Sequence, residues 1–123
     1  MRNEAVRAVT PYLLPNAAAV AYTYTGNKYG VALIGFLSLC NIDVAARTVN
    51  LAIVPAGGTI TSTTYRVINA LTLQPNQTVF LVSDSEDTAL GNALLRDGDQ
   101  IVLWASAATA IATRLTMVEY NQG

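Results

Sequence analysis

The chain has 123 residues, 52% of them apolar and 12% charged, with seven basic against eight acidic side chains, no histidine and one cysteine. That is the length of one domain with a core of its own, too apolar for a disordered chain and too near neutrality to offer nucleic acid a basic face. Without histidine there is no Ser-His-Asp or Cys-His pair and no His-containing zinc site, and a lone cysteine closes no intrachain disulfide.

Residues 1–16 differ in character from the rest of the chain. Arg2, Glu4 and Arg7 crowd the start, and Pro11-Tyr12-Leu13-Leu14-Pro15 comes next. Two prolines around three apolar residues suit neither an ordinary helix nor a central strand. The segment reads as an extended arm, either folded back on its own domain or docked on a neighbouring subunit. Met1-Arg2-Asn3-Glu4 lacks the basic region and apolar core of a secretory signal.

From residue 17 onward β-forming residues dominate, including fourteen threonines. A strand at 20–25 ends in Gly26-Asn27-Lys28-Tyr29-Gly30. The apolar run 29–42 is too short for the ~20 residues of a membrane helix and contains Gly30 and Gly35, so no span is expected there, and residues 31–40 read as a strand. Cys40, inside it, is expected to be a small buried hydrophobe. A mean hydropathy of +0.36 then points to apolar surface facing protein partners. In residues 47–55, Val49, Leu51 and Ile53 point one way and Thr48, Asn50 and Ala52 the other. Pro55-Ala56-Gly57-Gly58 ends that strand as a turn; Gly57-Gly58-Thr59 has neither the spacing nor the lysine of a phosphate loop.

Thr61-Ser62-Thr63-Thr64 reads as a loop. Pro75-Asn76, between Leu71-Thr72-Leu73 and residues 77–82, predicts a tight hairpin. Residues 85–90 suit one helical turn, and Arg96-Asp97-Gly98-Asp99 makes a turn before a strand at 101–106. Trp104 in that strand is expected in the core, with an interface anchor as the alternative. Ala107-Ala108-Thr109 precedes the last strand, 111–120, and the tail should fray. Turn signals every ~8–12 residues predict an all-β fold, a single antiparallel β-sandwich of jelly-roll or immunoglobulin-like order. The expected organisation is an N-terminal arm, 1–16, and a β-sandwich domain, 17–123.

Few residues offer chemistry. Asp84-Ser85-Glu86-Asp87 and Asp97-Gly98-Asp99 do not fit a calcium loop and read as solvated loops. No paired carboxylates are identifiable, and nine aromatics give a sugar little to stack on. Asn76-Gln77-Thr78 matches a glycosylation acceptor, and with no secretory route indicated the match reads as accidental. Arg47, Arg66, Arg96 and Arg114 are scattered singly. The expectation is no catalytic residue, no metal, no cofactor, no nucleic-acid partner and no membrane span.

Several short motifs stand in a recognisable order. They are Leu39-Cys40-Asn41, the strand Thr48-Val49-Asn50-Leu51-Ala52-Ile53-Val54 with Pro55-Ala56-Gly57-Gly58, and Leu73-Gln74-Pro75-Asn76-Gln77-Thr78. Leu95-Arg96-Asp97-Gly98-Asp99, Ala105-Ser106-Ala107-Ala108-Thr109-Ala110 and Val118-Glu119 complete the series. From about Ala17 to Tyr120 the chain resembles small β-sandwich virion proteins of tailed bacteriophages. The resemblance implies a non-enzymatic structural component of the particle, assembled in the bacterial host cytoplasm. The expected role is a capsid decoration or cement protein, with a neck, collar or fibre component as alternative.

The expected partners are other copies of the chain, in a trimer or another ring, and major capsid or neck proteins. The expected interface is Pro11, Tyr12, Leu13, Leu14 and Pro15, so deleting residues 1–15 should weaken assembly and leave the sandwich folded. The competing reading is a carbohydrate-binding module using Tyr12, Tyr22, Tyr24, Tyr29 and Tyr65 as platforms.

Overall fold

The computed structural model describes residues 2–26, 29–82 and 94–122. Its strands are β1 (Arg2–Leu13), β2 (Ala19–Thr23), β3 (Val31–Asn41), β4 (Arg47–Val54), β5 (Arg66–Leu73), β6 (Thr78–Val82), β7 (Leu94–Leu95), β8 (Gln100–Ala105) and β9 (Ile111–Gln122). A 3-10 turn at Thr63–Tyr65, capped by the Ser62 hydroxyl, falls in the 61–64 loop region. Among the described residues no helix is long and apolar enough to cross a membrane.

One sheet has the order β1-β9-β3-β6, with β7 pairing β3 beyond β6; the other has the order β2-β8-β4-β5. Every pairing is antiparallel. With the two-residue β7 set aside, the pairs β1–β9, β2–β8, β3–β6 and β4–β5 nest inside one another. The chain is one long hairpin, bent at β4–β5 and rolled up, which is the jelly roll and not the immunoglobulin-like order.

Residues 2–16 lie back on this chain's own sandwich. β1 runs along β9 from Arg2↔Gln122 to Leu13↔Ala112, and its register shifts between Val9 and Tyr12, around Pro11. Pro11 has no N–H to give a ladder, and an edge strand with a bulge is where it is tolerated. Beyond the strand, the Leu14 amide donates to the Ile111 carbonyl at 2.9 Å, and the Ala105 amide donates to the Pro15 carbonyl at 2.9 Å. Deleting 1–15 would remove an edge strand and the buried Leu14 side chain, so intact folding no longer follows from the register.

The core follows the period-two reading. Val49, Leu51, Ile101, Leu103 and Ala105 of one sheet face Ile34, Leu37, Leu39, Ile111, Leu115 and Met117 of the other. Burying such a Leu or Ile side chain stabilises the fold by about 2 kcal/mol. Asn41, also buried, is the polar tie between the sheets. Its Nδ2 donates to the Ala45 and Leu73 carbonyls, both at 2.9 Å, and its Oδ1 accepts from the Asp43 amide.

Three expectations change. Pro75-Asn76 does form a tight turn, with the Gln77 amide on the Gln74 carbonyl and Asn76 at φ 64°, but β5 and β6 belong to different sheets. Turn chemistry is local and does not say whether the flanking strands pair. Cys40 is half-buried on the outer face rather than in the core, because Leu37, Leu39 and Asn41 hold the inward parity. Trp104 likewise points outward from β8, beside Asn50, while Leu103 and Ala105 point in. The expected helical turn at 85–90, the Asp84-Ser85-Glu86-Asp87 cluster, and Asn27 and Lys28 of the first turn lie outside the described residues.

Candidate interaction face

The two outward faces of the sandwich have different fates. On the four-stranded sheet, Ala52, Val54 and Val102 are fully buried, although they point away from the core. Ile60 and Tyr65, from the β4–β5 connection, pack over them together with Ala18 and Trp104. Arg66 then lies across the Trp104 ring, its guanidinium 5.1 Å from the centroid, a cation–π contact. The connection between Val54 and Arg66 opens with the Pro55 turn, closed by a 2.8 Å bond from the Gly58 amide to the Pro55 carbonyl.

The outward face of the five-stranded sheet has no such cover among the described residues. Register sorts its side chains into rows. Val6, Val118, Leu33 and Leu94 form one row, and Ala8, Thr116 and Phe36 the next. Arg114, Ser38 and Phe80 make the third, and Leu13, Ala112, Cys40 and Thr78 the fourth. Glu4, Tyr120 and Val31 make the row at the other end. Phe36 and Phe80 meet edge to face, centroids 6.0 Å apart. Val6 is 66% exposed, Phe80 56%, and Leu13 and Leu94 42% each. Large apolar side chains standing in water in neighbouring rows mark an interaction surface.

A groove of about 380 Å³ opens at one end of this face, where the β1 bulge sits beside Cys40, Ala112 and Arg114. The five expected interface residues divide here. Pro11, Tyr12 and Leu13 line the groove, Pro11 and Leu13 exposed and Tyr12 half-buried against the core, whereas Leu14 is fully buried and Pro15 half-buried. Burial raises the Tyr12 phenol pKa.

The polar residues are engaged in holding the fold. Arg7 of β1 and Tyr22 of β2 both donate to the Glu119 carboxylate, Arg7 at 3.3 Å, so one β9 side chain ties the two sheets at their rim. Burial, with the hydrogen bond to Glu119 and its charge, pushes the Tyr22 phenol far above its ordinary 10.0. Tyr24 is fully buried; burial raises its pKa first, then the charges of Glu119 and Asp97. Tyr22 and Tyr24 therefore serve the interior, and a stripe of surface tyrosines is not assembled. Tyr29, by contrast, is exposed, and Tyr65 packs on the second cluster.

Asp99 is a turn residue: its Oδ2 accepts from the Arg96 amide at 2.9 Å and its Oδ1 from the Ala56 amide at 3.2 Å. Gly98 between them has φ +88°, and a Cβ there would stand 2.7 Å from the Ala56 Cβ, so only glycine fits. Asp43 accepts from Arg47 at 2.7 Å, and that bond, with one from the Val44 amide, lowers its pKa. Among the described residues no three His, Cys, Asp or Glu side chains are placed to hold a metal.

No family model matches the sequence, and no curated protein matches it either. Two solved structures are similar in fold. One is a chain described under "Bacillus endospore appendages form a novel family of disulfide-linked pili", at 11% identity and TM-score 0.56, covering 99% of this chain and 89% of that one. The other, from infectious bursal disease virus Gx strain, has 7% identity and TM-score 0.46, and covers 99% of this chain but 33% of its own. At such identities the first likeness speaks for the jelly-roll fold alone.

Proposed function

We propose that the chain is a non-enzymatic structural subunit that works by contact with other proteins, as a decoration or cement component on the capsid of a tailed-phage particle. The observation that carries this is the apolar face of the five-stranded sheet, without cover among the described residues, with Val6, Leu33, Leu94, Val118, Phe36 and Phe80 in adjacent rows. A domain that covers one outward face with its own loop and, among the described residues, leaves the other apolar is suited to a partner. The order of the motifs from Leu39-Cys40-Asn41 to Val118-Glu119 supports the phage setting. The likeness in fold to a pilus subunit is compatible with an assembling role. Partners on this reading are other copies of the chain and a major capsid or neck protein.

The test is immunogold labelling of purified phage particles from the host that carries the gene, with antiserum raised against the chain. Regular labelling of the head is the expected result. Label confined to the neck or fibres moves the protein to those parts, and particles without label overturn the reading.

A further inference from the structure

We draw no further inference here: the strongest candidate, the apolar outward face of the five-stranded sheet with the groove at its Pro11 end, carries no proposal because nothing in the structure shows what covers it.

Discussion

The two outward faces of this sandwich start from similar sequence and end differently. Ala52, Val54, Val102 and Trp104 on one, and Val6, Leu33, Val118 and Phe36 on the other, are equally apolar rows pointing away from the core. The first set is covered because the β4–β5 connection folds back over it with Ile60 and Tyr65. The second has no covering segment among the described residues. The same hydrophobic free energy therefore appears as monomer stability on one side, while among the described residues the other side leaves its apolar rows in water. An apolar outward face is defined by what the chain lays over it, not by its own composition.

The comparison breaks if the two faces respond alike to truncation. Trp104→Ala, which opens a hole under Arg66 and Tyr65, should cost about 3 kcal/mol of folding stability, read from denaturant midpoints, and leave the oligomeric mass unchanged. Phe80→Ser should lower the stability of the dissociated monomer by less than about 1 kcal/mol. An equal loss in both variants would mean that the chain covers both faces itself.

Between the faces, the ties that hold the sheets together sharpen the picture. Asn41→Ala strands the buried Leu73 carbonyl and should cost about 2 kcal/mol in the same measurement. Tyr22→Phe removes the cross-sheet bond to Glu119 and should cost about 1.5 kcal/mol at neutral pH. It should also blunt the alkaline response of the wild type. The Tyr22 pKa is raised on folding, so its contribution is complete below about pH 10 and is lost as pH rises through the folded value. Thermal melts from pH 8 to 12 should fall above pH 10, less steeply in Tyr22→Phe; equal slopes would show that this phenol is not the cause.

An effect of opposite sign lies beneath the groove. Thr113 is 1% exposed and its hydroxyl has no hydrogen-bond partner among the described residues. Thr113→Val keeps the shape and removes the unmet group, so stability should rise by about 1 kcal/mol. A loss of stability would reveal a partner for that hydroxyl.

Much of the fold was legible in the residues because strand formation and turn chemistry act over short distances. The alternation Val49-Leu51-Ile53 against Thr48-Asn50-Ala52 assigned inner and outer sides of β4 correctly, and turn residues placed most strand boundaries within a few positions. β1 was less legible: Pro11 and the charges at Arg2, Glu4 and Arg7 hide a strand that exists because β9 offers it an edge. Parity misled at Cys40 and Trp104, since apolar residues line both sides of these strands and hydrophobicity alone no longer says which side is in. The Arg7–Glu119–Tyr22 tie had no signal, because its members are separated by nearly the whole chain.

The sequence by itself determined the all-β class, the strands of the interior and the lack of histidine-based or cysteine-cluster chemistry, because composition and period-two spacing are local properties. Only the tertiary structure decided that the order is a jelly roll, that Pro75-Asn76 passes the chain between sheets, and that Leu14 is buried while Leu13 stands in water. It also decided which apolar face the β4–β5 connection covers. These outcomes depend on register between strands far apart in the chain, and on where one loop comes to rest, neither of which leaves a periodic trace in the residues themselves.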